Sequence, residues 1–414
     1  MSVLEKISSA AFIEIENKYG AHNYHPLPVV LSRGKGVYVW DVEGKRYYDF
    51  LSAYSAVNQG HCHPDIVEAL INQAQTLTLT SRAFHNDRLG IYEKFLCEYF
   101  GFDKVLPMNT GAEAVETALK LCRKWAYEVK GIAEHQAQII VCEGNFHGRT
   151  TTIISFSNDE NARKNFGPYT EGFIKIPYDD IEALEQALSS TNNIAGFLVE
   201  PIQGEAGVYV PADGYLAKAK ALCEKHNALF IADEVQTGIA RTGKLLAVHH
   251  ENVQPDILIL GKAISGGVYP VSAVLANDNV MHVIKPGQHG STFGGNPLAA
   301  AVAVAALEVV EHENLAENAA YLGNIFREKI GDYIRESGIA TLVRGKGLLN
   351  AILINDTEES DTAWNICLRL AHYGLLAKPT HGNIIRFAPP LVMTEEQLED
   401  CISIIIKTLK EFEK

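Results

Sequence analysis

The chain has 414 residues, more than one hydrophobic core usually supports, so two domains or a large domain with a smaller partner are expected. Its 47% hydrophobic and 21% charged residues suit an ordinary soluble globular protein, and a net charge of -14 argues against a general binder of nucleic acid or anionic membrane. That balance leaves room for a local basic pocket that takes a small anion.

The cysteines at 62, 97, 122, 142, 223, 367 and 401 include no C-x-x-C pair and point to reduced thiols in a reducing compartment, with the cytoplasm as default. The opening residues, Met1-Ser-Val-Leu-Glu-Lys6, lack the basic and apolar regions of a signal peptide, and no apolar run approaches membrane-spanning length.

In chain order, residues 5 to 18 carry apolar positions at helical spacing. Tyr19 to Pro28 is too rich in Pro, Gly and aromatics to continue that helix, and forms either a packed arm or a pocket wall, with Tyr24 open to both uses. Gly36 to Phe50 predicts a hairpin turning at Glu43-Gly44. Residues 52 to 63 are irregular again. His61, Cys62 and His63 invite a zinc site, but no second ligand pair follows at metal spacing. A loop running into a helix that starts near Pro64 accounts for them better, and no metal is expected.

From residue 104 strands alternate with helices. Val105 to Met108 is a short apolar run, Asn109-Thr-Gly111 breaks it, and a strongly helical stretch begins at Ala112. The N–H groups of Gly111 and Ala112 either hold a phosphate or belong to a plain helix cap. Further strands are predicted at 138–142, 195–199, 228–232, 257–260 and 271–275, with helices at 180–189 and 213–226. Near-continuous apolar strands interleaved with amphipathic helices indicate an α/β domain with a largely parallel sheet, in which ligands collect beyond the carboxyl ends of the strands.

At those ends stand Asn145-Phe-His-Gly-Arg149, Glu200-Pro-Ile-Gln-Gly-Glu-Ala-Gly207, Asp233-Glu-Val-Gln-Thr-Gly238 and Lys262. Taken alone, Lys262 beside Gly261, Gly266 and Gly267 is either a solvated turn residue or a desolvated, neutral nucleophile. Together the residues suit pyridoxal phosphate, whose aldehyde needs a lysine amine, whose ring nitrogen needs a carboxylate and whose flat ring needs a stacking partner. Lys262, Asp233 and Phe146 would supply these, with Val235 against the other ring face. No G-x-G-x-x-G follows the first strand of the α/β region, which argues against a dinucleotide-dependent dehydrogenase.

The sequence resembles the class III (subgroup II) pyridoxal-phosphate aminotransferases through Asn109-Thr-Gly-Ala-Glu-Ala114, Phe146-His-Gly-Arg149, Asp233 to Gly243, Leu260-Gly-Lys262 and His289 to Pro297. Within that class Tyr19 to Tyr24, Tyr54 to His63, Val343 to Asn350 and Ile385 to Pro390 resemble the branch that acts on ornithine. The resemblance implies fold type I and transfer of the δ-amino group of L-ornithine to 2-oxoglutarate. It also implies a homodimer with shared active sites. Residues 1–58 would form an N-terminal segment of the small domain and the active-site wall, 59–300 the large cofactor-binding domain and 301–414 the rest of the small domain.

Residue by residue, the resemblance makes Lys262 the base and nucleophile, Asp233 the partner of the ring nitrogen and Gln236 a contact of the ring hydroxyl. Gly111 and Ala112, with Thr292 from the neighbouring subunit, would bind phosphate; Phe146, His147 and Val235 complete the cofactor set. Arg149 would hold the carboxylate distant from the reacting amine, Tyr24 and Tyr54 would favour a free α-amino group, and Arg386 would take the keto acid's α-carboxylate. Glu205 would shield Arg386 while ornithine is bound. Ala112, Ala240 and His147 depart from the commonest residues of the class or branch. They leave N-acetylornithine and 4-aminobutyrate as alternative donors, beside a catalytically silent scaffold.

Overall fold

The computed structural model describes residues 8–413. After a helix over Ser9–Tyr19 come strands β1 (Leu31–Lys35), β2 (Tyr38–Asp41) and β3 (Arg46–Asp49). The middle of the chain supplies β4 (Lys104–Met108), β5 (Gln138–Cys142), β6 (Phe173–Ile176), β7 (Ile194–Val199), β8 (Leu229–Asp233), β9 (Ile257–Leu260) and β10 (Ser272–Ala276). The C-terminal part adds β11 (Ala340–Lys346), β12 (Leu349–Ile354), β13 (Leu375–Leu376), β14 (Lys378–Thr380) and β15 (Ile384–Phe387).

The central sheet has the order β4-β10-β9-β8-β7-β5-β6. Neighbours from β9 to β6 run parallel, and β10 alone opposes its neighbours β4 and β9. Strands β7, β8, β9 and β10 are buried along their whole length because helices cover both faces. Side chains alternate between those faces: Ile139, Val141, Leu198, Ile231 and Ile259 pack with the helix Gly111–Trp125. Ile140, Phe197, Phe230, Leu258 and Leu260 join the core around the helix Pro297–His312.

All six strands predicted for this sheet are present within one or two residues, and the predicted hairpin is β2 and β3. No strand was predicted for β11 to β15, and β1 and β6 were also not predicted. β6 reads Phe-Ile-Lys-Ile at the sheet edge and is only partly buried, and β1, Leu-Ser-Arg-Gly-Lys, is largely exposed, so neither carries a buried strand's apolar run. The N-terminal helix occupies most of its predicted span, whose residues before 8 lie outside those described.

Both chain ends meet in one small sheet, ordered β1-β2-β3-β13, where β13 lies parallel to β3. A second small sheet, β11-β12-β15-β14, carries Arg386 in register with Ala351 and Lys378. Pro64 opens the helix Pro64–Ala74 as predicted. His61 Nε2 lies 2.7 Å from Asp49 Oδ2 and His63 Nε2 lies 2.9 Å from Glu313 Oε1, so each ring has a carboxylate partner. Among the described residues no group of three or more His, Cys, Asp or Glu is placed to hold a metal ion, and no helix is long and apolar enough to cross a membrane. All seven cysteines are unpaired, and five of them are buried.

Candidate active site

Parallel pairing sets the carboxyl ends of β5, β7, β8 and β9 side by side. Asp233, the last residue of β8, pairs with Ile259, three residues before Lys262. A cavity of about 200 Å³ opens there, lined by Lys262, Asp233, Gly111, Phe146, Glu200 and Gln236 among others.

Lys262 begins a short 3-10 turn, Lys262–Ser265, and holds φ +45°. A left-handed lysine costs about 1–2 kcal/mol, a strain that persists only where surrounding packing fixes it. That packing is visible at Gly111 and Gly261, where an added Cβ would lie 3.0 Å from Val235 Cγ1 in each case. Glycine lets both backbones close on Val235, which itself lines the cavity. Burial holds the Lys262 ammonium below its usual pKa, Glu205 opposes that shift, and Arg386 adds to it. The desolvated alternative is therefore the one the fold realises.

Asp233 is fixed through both oxygens: Oδ2 lies 2.6 Å from His147 Nδ1 and Oδ1 accepts the Val235 N–H at 3.0 Å. Burial alone would lower the His147 pKa, but the hydrogen bond and charge of Asp233 overcome it and raise the value. His147 Nε2 is buried without a partner. The role of His147 as a clamp on Asp233 was not predicted, since nothing local links residues 86 apart.

Glu200 was also given no role, although a carboxylate directly off a buried strand is the same signal that singled out Asp233. Its Oε2 accepts the Phe146 N–H at 2.8 Å. Burial is the main cause of a pKa raised to about 7; His147 opposes the rise and Asp233 adds to it.

The helix Gly111–Trp125 carries the plain cap that was one of the two readings of its start. Thr110 Oγ1 accepts the Glu113 N–H, and Glu113 reaches back to the N–H groups of Asn109 and Thr110. That box engages residues on either side of Gly111 and Ala112, which themselves line the cavity.

A larger cavity of about 600 Å³ adjoins the first through Phe146 and carries Arg149 and Glu205 on its wall. The Arg149 guanidinium lies 5.2 Å from the Phe146 ring centre. Arg386 Nη1 donates to Glu205 Oε1 at 2.7 Å, Gln236 Nε2 donates to the same oxygen at 3.1 Å, and the Tyr54 ring centre lies 4.8 Å from Arg386. Burial would raise the Glu205 pKa, but the charge and hydrogen bond of Arg386 outweigh it and lower the value.

Two predicted site residues stand apart. Tyr24 is 65% exposed and lines neither cavity, though it is near enough to Tyr54 to act on it electrostatically. Thr292 is exposed outside the cavities of its own chain, next to Ser291, whose hydroxyl accepts from Asn109 Nδ2 at 2.8 Å.

Comparison with known proteins agrees with this geometry. The class-III aminotransferase family model matches residues 19–409. A curated relative named ornithine aminotransferase, mitochondrial, from Drosophila ananassae is 63% identical over 95% of this chain and 90% of its own length. A solved structure titled acetylornithine aminotransferase from Elizabethkingia anophelis is 68% identical, with a TM-score of 0.90 over 98% of this chain and 99% of that one. A structure of the ornithine aminotransferase from Toxoplasma gondii, described with partial occupancy of pyridoxal phosphate at its active site, is 50% identical, with a TM-score of 0.96 over 99% of this chain and 95% of that one. The chain belongs to the class-III aminotransferases, pyridoxal-phosphate-dependent enzymes of fold type I.

Proposed function

We propose that this chain transfers the δ-amino group of L-ornithine to 2-oxoglutarate in two half-reactions, giving glutamate 5-semialdehyde, which cyclises, and L-glutamate. The observation that carries the reading is the adjacency of two sites. A buried lysine faces a clamped carboxylate in the smaller cavity, and the Arg386–Glu205 pair lies where the larger one begins.

The smaller cavity fits pyridoxal 5'-phosphate by its chemistry. It offers backbone at a helix start, the Phe146 ring and the Val235 side chain in its lining, and an Asp233 carboxylate held in one position. When bound, the cofactor supplies an aldehyde for the incoming amine and a ring that accepts the electron pair released at the reacting carbon. Gly111 and Ala112 would hold its phosphate, Gln236 its ring hydroxyl and Asp233 its ring nitrogen. His147 keeps Asp233 in one orientation. Lys262 Nζ, its pKa lowered by burial, would take the proton from the carbon bearing the reacting amine and return it to the adjoining centre.

Substrate charge sorts the remaining residues. Ornithine reacts at its terminal amine, so its α-carboxylate must be held away from Lys262, and Arg149 on the outer wall has the planar fork for that. Tyr24 and Tyr54 receive the free α-amino group. Arg386 stays paired with Glu205 during this half-reaction and takes the α-carboxylate of 2-oxoglutarate in the next, while Arg149 takes the distal one. N-acetylornithine is the second reading, favoured by the 68% identity to the acetylornithine aminotransferase from Elizabethkingia anophelis. An acetylated α-amino group would have to fit beside Tyr54 without the charge that Glu205 and the aromatic rings attract.

Thr292 lies outside the cavities of its own chain and completes the phosphate site of a second copy in this reading, which makes the protein a homodimer. In the same reading the large domain spans 59–300, and the described residues before 59 and after 300 form the small one. The cytoplasm is the compartment we assign, on unpaired thiols.

Difference spectroscopy of the purified, cofactor-loaded protein tests the activity. L-ornithine should shift the visible band and 2-oxoglutarate should restore it. Lys262→Ala should lower turnover by at least about 1,000-fold with unchanged circular dichroism. A band unmoved by any amine would favour a silent scaffold.

A further inference from the structure

Residues 52 to 55 hold an unusual backbone. Ser52, Ala53, Tyr54 and Ser55 have φ of 48°, 46°, 59° and 71°, so four successive residues with side chains form one left-handed turn without glycine. The turn is closed by the Ala56 N–H donating to the Ser52 carbonyl at 2.9 Å. The hydroxyls of Ser52 and Ser55 are buried and have no hydrogen-bond partner, so they give the turn no support.

What holds it lies just upstream. Asp49 Oδ1 accepts the N–H groups of Leu51 and Ser52, each at 2.9 Å, and Asp49 Oδ2 is gripped by His61 Nε2 at 2.7 Å. His61 is itself anchored, since its backbone N–H and carbonyl both bond to Gly36 at 2.8 and 2.9 Å. The residue this brace delivers is Tyr54, whose ring lies 4.8 Å from the Arg386 guanidinium on the edge of the Glu205 pair.

We propose that Asp49 and His61 are positioning residues for acceptor recognition: they hold the left-handed turn that keeps Tyr54 on Arg386, and so keep Arg386 poised for the keto acid's carboxylate. This rests on the reading of Arg386 as the acceptor's carboxylate site. Neither residue lines the substrate cavities, and both act through Tyr54. Without the His61 grip the Asp49 carboxylate turns away, the turn relaxes to an ordinary backbone region, and the ring withdraws. Lys262, Asp233 and His147 are untouched, so the chemistry at saturation is preserved.

The test uses the cofactor-loaded enzyme and four variants. His61→Ala should raise the KM for 2-oxoglutarate about tenfold while kcat and the rate of the ornithine half-reaction at saturating L-ornithine stay within about twofold. His61→Gln, which retains a donor for Asp49, should keep most of the parent's KM. The discriminating variant is Ala53→Gly in the His61→Ala background: glycine occupies the left-handed region without strain, so it should restore the KM to within about threefold of the parent. Hydrogen exchange at the Ala56 amide should rise in His61→Ala and fall back in the double variant. An unchanged acceptor KM in His61→Ala, or a general loss of both half-reactions that Ala53→Gly does not repair, overturns the proposal. Arg386→Ala separates this from failure of the underlying reading: if it leaves the acceptor KM unchanged, the Arg386 assignment itself falls.

Discussion

Glu205 answers to two partners, and its surroundings decide what its removal would do. Its side chain is 25% exposed, but that of Arg386 is only 6% exposed, so the pair is not the solvated surface contact that contributes little. Stripping the partner from a buried charge costs roughly 3–5 kcal/mol, and any carboxylate that reaches Arg386 recovers part of it. Glu205→Ala should therefore let ornithine bind α-end first and shift the ratio of α- to δ-transfer by about tenfold or more. Product analysis reads this directly, and an unaltered ratio would contradict the gating role. Glu200 offers a separate test of the buried acids. Its folded pKa of about 7 lies above the ordinary 4.5, so the folded chain binds more protons than the unfolded one between those values. Stability is then lost as pH rises through that window. In the cofactor-free protein, Glu200→Gln should abolish this loss and gain on the parent by up to about 3 kcal/mol near pH 8, with little gain below pH 5. Urea titrations at several pH values check this, and parallel curves for the two proteins would refute it. Glu234, also raised to about 7 chiefly by burial, remains in both and serves as the constant background.

At the scale of elements, legibility followed burial. Strand β9 and the Gly261-Lys262 step were readable because a strand covered on both faces shows an unbroken apolar run. β6 was not, since an edge strand with an exposed Lys175 looks like loop. The site divides the same way. Lys262 and Asp233 follow buried strands and announce themselves, whereas the His147 clamp and the Asp49–His61 brace depend on tertiary contacts. The left-handed turn at Ser52–Ser55 was hidden for another reason: it contains no glycine, the residue by which such turns are recognised. A close helix contact gives the prediction at this scale. Gly323 lies inside the helix Leu315–Ile334, where alanine would ordinarily gain roughly 0.5–1 kcal/mol. Here an added Cβ would fall 1.9 Å from the Gly347 carbonyl oxygen, which is backbone and cannot swing aside. Gly323→Ala should thus destabilise the protein by about 1–3 kcal/mol, visible as a lower urea midpoint. A stabilised variant would show that this helix does not pack as described.

The whole molecule leaves apolar groups uncovered that a single copy has no use for. The helix Ser9–Tyr19 buries none of its residues, and Phe12, Ile15, Phe84, Ile91 and Phe293 are 38%, 50%, 71%, 64% and 48% exposed. Phe293 adjoins Thr292, which lies outside its own chain's cavities, so the homodimer reading would cover Phe293 and complete the site together. Sedimentation should give twice the 45.4 kDa chain mass, and Phe293→Glu should shift the protein toward monomer while weakening cofactor retention. A monomeric parent with full activity would contradict the shared site. The identity of the donor is the central claim, and the two names carried by similar proteins make it decidable. The most direct measurement is kcat/KM for L-ornithine, N-acetylornithine, 4-aminobutyrate and L-lysine, each with 2-oxoglutarate. Ornithine should lead N-acetylornithine by at least about 100-fold if Tyr54, beside the Arg386–Glu205 pair, receives the free α-amino group as proposed. Equal or greater efficiency with N-acetylornithine would contradict the account.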